Sequence, residues 1–136
     1  MVRYAGEDDF ALLRSREHCI SDSELKNSIG AKRILMMFQG NLFAGWLRYN
    51  LFWDNTPFMN MLYFLEEYRG KGYGKQLVLF WEEEMRRRGY GWVLTSTLAN
   101  EQAQFFYRKL GYADCGCLLL PDEALEILFR KSLSAS

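Results

Sequence analysis

The chain has 136 residues, the length of one domain with its own core, and 49% of them are apolar. Seventeen acidic side chains balance seventeen lysines and arginines, so no general electrostatic pull draws the protein to nucleic acid or to an anionic membrane face. One histidine, His18, and three scattered cysteines leave little from which to build a zinc site, so no metal is expected.

Taken in chain order, Val2 to Tyr4 reads as a short strand and Asp8 to Glu17 as a helix with Phe10, Leu12 and Leu13 on its apolar side. Ser21-Asp-Ser-Glu24 is a capping-box pattern, and it opens a second helix on which Leu25 and Ile29 lie one turn apart before Gly30. Arg33 to Gln39 and Leu42 to Tyr49 are strand-like runs around Gly40-Asn41, a two-residue hairpin signal. A loop is expected from Asn50 to Pro57, then a strand from Phe58 to Leu65.

Gly72-Tyr-Gly74 starts a long helix that reaches Arg88 and stops at Gly89, with Tyr73, Leu77, Trp81 and Met85 along one face. Its Glu-Glu-Glu-Met-Arg-Arg-Arg run pairs acid with base at i,i+4 and predicts a solvated face. Trp92 to Thr97 is a strand. Asn100 is positioned to cap a helix carrying Ala103, Phe106, Tyr107 and Leu110, which Gly111 closes. Tyr112 to Leu119 and Ala124 to Arg130 complete the pattern as two strands about Leu120-Pro-Asp122, and the terminal Ser-Leu-Ser-Ala-Ser is expected to fray. The order β-α-α-β-β-β-α-β-α-β-β predicts a mixed α/β fold (an α+β mixed sheet) in one domain over residues 1–136.

Compartment follows from weaker signals. The longest apolar runs are five residues, far short of a membrane span, and the N-terminal segment turns acidic by residue seven without an apolar signal core. Three cysteines do not make a secreted disulfide framework. Reduced thiols and a cytoplasmic setting are the expectation, with no membrane partner.

Arg69-Gly-Lys-Gly-Tyr-Gly-Lys75 joins a strand to a helix start. Its glycines admit positive φ and close backbone approach, the first helix amides lack internal partners, and three cations cluster in an otherwise neutral chain. A phosphate-bearing ligand is the physical inference. A Walker loop is excluded because Arg69 stands five before Gly74, and G-x-G-x-x-G fails because its third glycine would fall on Lys75 or Leu77.

The segment Leu62 to Leu77, with Arg69-x-x-Gly72-x-Gly74 at its centre, resembles the acetyl-CoA-binding segment of the GNAT superfamily of N-acetyltransferases. A second family segment is matched by Asn100, Ala103, Phe106, Tyr107, Gly111 and Tyr112. The resemblance spans nearly the whole chain and implies an acetyl-CoA-dependent N-acetyltransferase, with acetyl-CoA as cosubstrate. By that resemblance the cofactor lies on Arg69, Gly70, Lys71, Gly72, Tyr73, Gly74 and Lys75, beside Phe64 and Leu65, with Asn100 as a further contact. A backbone N–H within Tyr63 to Leu65 would hold the oxyanion, and Tyr107 would protonate the departing thiolate.

For the general base the family position falls on Phe58, which carries no carboxylate, and this leaves Asp54, Glu66 and His18 as candidates for base or acceptor contact. Phe52 and Trp53, with Trp46 near them, suit a cationic amine beside Asp54, so the acceptor is expected to be a small amine-bearing molecule attacking directly in a ternary complex. Two other readings remain open: a protein lysine or N-terminal acetyltransferase, and a non-catalytic acyl-CoA-binding sensor. A homodimer is a further expectation from the aromatic excess of 16%.

Overall fold

The computed structural model describes residues 1–134. The elements are β1 (Val2–Tyr4), α1 (Phe10–Arg16) after a 3-10 turn at Glu7–Asp9, α2 (Asp22–Gly30), β2 (Ile34–Gln39), β3 (Leu42–Phe52), β4 (Thr56–Phe64), a 3-10 turn at Glu66–Tyr68, α3 (Tyr73–Arg87), β5 (Trp92–Leu98), α4 (Ala103–Lys109), β6 (Ala113–Leu118) and β7 (Glu126–Ser132). The mixed α/β order is the expected one. No helix among the described residues is long and apolar enough to cross a membrane.

Two compact units divide the chain, and β4 contributes its first half to one and its second half to the other. The first holds Met1–Asn50 and Met61–Trp81. Its strands run β1-β2-β3-β4, with β1 and β3 antiparallel to β2. Period-two alternation gives each sheet face its own partners. Ile34, Met36 and Trp46 pack with Leu13 of α1 and with Leu25 and Ile29 of α2. On α3, Leu77 and Trp81 are fully buried, and the Tyr49 ring lies 5.8 Å from Trp81. The Ser21 side chain accepts from the Glu24 N–H, the first half of the expected capping box.

The second unit holds Leu51–Asn60 and the chain from Glu82 onward, with strand order β4-β5-β7-β6. β4 and β5 pair in parallel over two rungs only, Phe58 with Leu94 and Met59 with Thr95. β7 pairs antiparallel with β5 along its whole length and with β6. Met85 of α3, Val93, Tyr112 and Phe129 are buried here.

Four expectations are corrected. The loop at Asn50 to Pro57 is a tight turn, because Trp53 and Asp54 both take left-handed φ (56° and 64°) and let β3 and β4 run up to it. Asn100 does not cap α4: the helix starts at Ala103 behind Gln102, and the Gln104 side chain donates to the Ala99 and Glu101 carbonyls of the preceding turn. Glu82 leaves the solvated face and is buried. The terminal segment is anchored through Ser132, which ends β7, and Leu133, which is buried and donates its N–H to Gly91 O; the expected fraying at residues 135 and 136 lies outside the described residues.

The second half of β4 lies close against β3, where the Leu65 N–H donates to Ala44 O. Gly45 makes this approach possible, since a Cβ there would stand 2.5 Å from Tyr63 O and 2.6 Å from the Phe64 ring. Backbone on one side and a buried ring on the other leave no room to relax. Gly45→Ala is expected to lower stability by ~1–3 kcal/mol, read as a fall in the midpoint of denaturant unfolding.

Candidate active site

In the first unit, the second half of β4 and the turn after it form one continuous surface of backbone. The Leu65 N–H is taken by β3, so strand alternation directs the Phe64 N–H to the opposite edge of β4. This narrows the expected oxyanion donors within Tyr63 to Leu65. Arg69 folds back on the strand: its Nε donates to Phe64 O at 2.8 Å, and its guanidinium lies 5.1 Å from the Tyr63 ring centre. Of the three cations expected at a phosphate, this one also braces the strand end.

Gly70 and Gly72 have φ of +72° and +85°, and a Cβ at either would meet nothing within 4 Å. Conformation rather than crowding requires glycine at both. Gly74 lies inside α3, which begins at Tyr73, so the amides of Tyr73, Gly74 and Lys75 sit in the first helical turn, where no internal carbonyl reaches them. Lys71 and Lys75 are exposed, and neither pairs with a carboxylate among the described residues. Fixed amides, a helix N-terminus and two uncommitted cations suit a phosphate-bearing ligand.

The same unit contains a carboxylate that sequence reasoning passed over. Glu17, in the segment between α1 and α2, is 1% exposed. Its Oε2 accepts from Trp46 Nε1 at 3.2 Å and from Arg48 Nε at 3.3 Å. Trp46 is therefore core, not part of an open aromatic site. His18 is exposed beside this buried acid, and Glu66 is exposed at the start of its 3-10 turn.

In the second unit, Phe52, Trp53 and Asp54 share the β3–β4 turn. Trp53 is 71% exposed, its ring 4.7 Å from Phe52, and Phe52 lies 5.9 Å from Phe58. Asp54 is exposed beside them. Two aromatic faces and one carboxylate are thus presented together by three consecutive residues.

Tyr107, on α4, is 7% exposed. Its ring lies 5.7 Å from Tyr112 and 6.1 Å from Phe129. Burial pushes its phenol up to about 12, so the group stays protonated far above neutrality. The Thr95 side chain works against that rise. Tyr112 is held in turn by Glu82, which accepts from the Tyr112 hydroxyl and from Lys131 Nζ, both at 2.8 Å. Burial and the Glu82 charge raise the Tyr112 phenol strongly. Asn100 is exposed in the turn between β5 and α4.

Cys19, Cys115 and Cys117 are free and exposed, so none packs a core. Among the described residues, no group of three or more His, Cys, Asp or Glu side chains is placed to hold a metal ion.

The family model for the acetyltransferase (GNAT) family matches residues 5–112. Among solved structures, the chain is similar to a GNAT-family acetyltransferase from Bacillus cereus, at 23% identity and a TM-score of 0.77 over 97% of this chain and 96% of that one. It is similar to yncA of Salmonella typhimurium, a structure holding acetyl-CoA, at 13% identity and 0.81 over 100% and 95%. A third likeness is to the ribosomal-protein-S18-alanine N-acetyltransferase of Escherichia coli, at 16% identity and 0.78 over 100% and 95%. No curated protein matches the sequence. With the glycine turn, α3 and Tyr107 all inside the matched span, the chain belongs to the GNAT acetyltransferase family and is an acetyl-CoA-dependent N-acetyltransferase, moving an acetyl group from acetyl-CoA to an amine.

Proposed function

We propose that the acceptor is a small cationic amine and that it attacks the thioester directly, in a ternary complex with acetyl-CoA. The observation that carries this reading is the exposed Phe52–Trp53 pair with Asp54 at the same turn. Aromatic faces attract a cation through their quadrupoles, and a carboxylate adds a directional partner. The phosphates of acetyl-CoA rest on the turn amides of Gly70 to Lys75. The Phe64 N–H polarises the acetyl carbonyl and holds the charge that builds on its oxygen. Tyr107 donates its proton to the departing CoA sulfur, a task suited to a phenol that burial keeps protonated.

An amine near its ordinary pKa of about 10.4 must lose a proton before it attacks. Asp54 is assigned a contact with the cationic group of the acceptor, and no side chain is assigned the proton. His18 and Glu66 are exposed and receive no role in this reading.

A second reading, transfer to a peptide N-terminus, is favoured by the likeness to ribosomal-protein-alanine N-acetyltransferases of Escherichia coli and Brucella melitensis. Free-thiol release from acetyl-CoA, measured across small amines and N-terminal peptides, separates the two. Small cationic amines are expected to turn over, with Asp54→Asn lowering their kcat/KM about fivefold, as suits an exposed charge pair. Turnover of peptides alone, or of cationic amines unchanged by Asp54→Asn, would transfer the assignment to the second reading.

Tyr107→Phe is expected to lower kcat by about 100-fold while leaving thermal protection by acetyl-CoA intact. The pH profile gives an independent check. An acid works only while protonated, and a phenol raised to about 12 remains so throughout the range where amines deprotonate. The wild-type kcat is therefore expected to rise with pH to a plateau. A falling limb near pH 8 or 9 that disappears in Tyr107→Phe would contradict the buried-phenol assignment.

A further inference from the structure

Arg48 lies on β3 two residues from Trp46, and so on the sheet face that packs with α1 and α2. Tyr49, which alternates with it, meets Trp81 of α3 on the other face. Ala44 O takes the Leu65 N–H, and Trp46 meets the Tyr63 ring at 4.9 Å, so β3 and β4 run in opposite directions here. The next step of that register brings Arg48 level with Met61, which packs against the same cluster as Trp46.

The Arg48 side chain is 11% exposed, and its Nε donates to Glu17 Oε2 at 3.3 Å. Glu17 is itself fixed, since Oε2 also accepts from Trp46 Nε1 and Oε1 takes the Cys19 N–H at 3.4 Å. The remaining donors of the guanidinium sit on its two terminal nitrogens, which have no partner among the described residues. Those nitrogens are not sealed in. Among the described residues, the buried side-chain nitrogens and oxygens without a partner are Trp81 Nε1 and Thr97 Oγ1. The terminal nitrogens of Arg48 therefore reach solvent, one step along the sheet from the Tyr63 ring, which is 40% exposed.

We propose that Arg48 binds a carboxylate of the acceptor, which makes the acceptor an aminocarboxylate with its amine several bonds from the acid group. The inference rests on the small-amine reading and narrows it. The flat end of a guanidinium matches the two oxygens of a carboxylate, and Glu17 keeps that end from turning away. The Glu17–Arg48 pair is neutral as a whole, so it offers aligned N–H groups at short range rather than a field. One carboxylate suits such a fork better than a phosphate does. Position agrees with this. The phosphate cradle opens α3, whose face of the sheet is the other one, and a ternary complex brings the acceptor from the side where the fork opens. From Met61, level with Arg48, to Phe64 the strand covers about 10 Å. A carboxylate seated at Arg48 thus needs a short chain to carry its amine to the thioester beside the Phe64 N–H.

The experiment measures kcat/KM for ω-aminopentanoate and for its primary amide, which keeps the amine and removes the carboxylate charge. The wild type is expected to prefer the acid about tenfold, through KM, as suits a charge-assisted pair. Glu17→Gln leaves an oxygen for Arg48 Nε and removes the neutralising charge, so the preference should persist or grow. Glu17→Gln combined with Arg48→Gln should bring the ratio of acid to amide to about one. Thermal protection by acetyl-CoA shows that each variant is folded and binds cofactor. Glu17→Leu with Arg48→Met replaces the double variant if that one does not fold.

The carboxylate site is overturned if the wild type does not distinguish acid from amide, if Glu17→Gln abolishes the preference, or if the preference survives the loss of both side chains. If N-terminal peptides turn over and free amines do not, the small-amine reading falls. The same comparison then uses a dipeptide with a free or an amidated C-terminus. A ratio near one there overturns the role of Arg48 as well, and a tenfold ratio lost in the double variant sustains it.

Discussion

A parallel pair held for two rungs, Phe58 with Leu94 and Met59 with Thr95, is the constraint on which the arrangement of functional groups depends. Parallel neighbours need a crossover connection, and here that crossover is α3. A helix that follows a strand presents its N-terminus at the carboxyl end of that strand, where the glycine turn lies. The short ladder also places Met59 O where the Thr95 hydroxyl can reach it. The phosphate cradle lies at the turn of this connection.

Each unit is further organised around one buried carboxylate. An unpaired buried charge would cost several kcal/mol, so each acid must collect donors, and those donors become fixed in turn. Glu17 draws Trp46 and Arg48 of β3 to the segment between α1 and α2. Glu82 draws Tyr112 and Lys131 to α3. The second cluster has a chemical consequence. With its hydroxyl held by Glu82, Tyr112 presents a fixed ring to Tyr107, whose other ring neighbours are Phe106 and Phe129. The phenol of Tyr107 therefore turns within a closed aromatic wall rather than in open solvent.

How much of this was legible in the sequence depended on how local each cause is. Positive φ at Gly40, Gly70, Gly72 and Gly111 is a property of single residues, and glycine marked each turn in advance. The stripes of α3 and α4 repeat at helical spacing, so Leu77, Trp81, Met85 and Tyr107 were expected on their buried faces. The turn at Trp53-Asp54 was not legible, because a tryptophan in left-handed conformation has no sequence signal. Glu82 was hidden for the opposite reason. It sits in a run with perfect local pairing, and only the distant Tyr112 and Lys131 reveal that it points inward. Thr95 was invisible as well, since a threonine on a strand is ordinary until Met59 is placed beside it.

The neutral balance of charge bears most directly on the glycine turn. Arg69 is engaged with Phe64 O and the Tyr63 ring, so it acts on the geometry of the strand end as well as on local charge. Lys71 and Lys75 are exposed, and water and salt screen exposed charges over about 10 Å. The backbone amides are different in kind. Two glycines at left-handed φ and the start of α3 hold them in place before any ligand arrives, so none of their alignment has to be created on binding. An anion gains most from dipoles that are already oriented, because reorganisation is what weakens the same dipoles in water. Side-chain charge at this turn draws phosphate near, and the backbone determines where it stays.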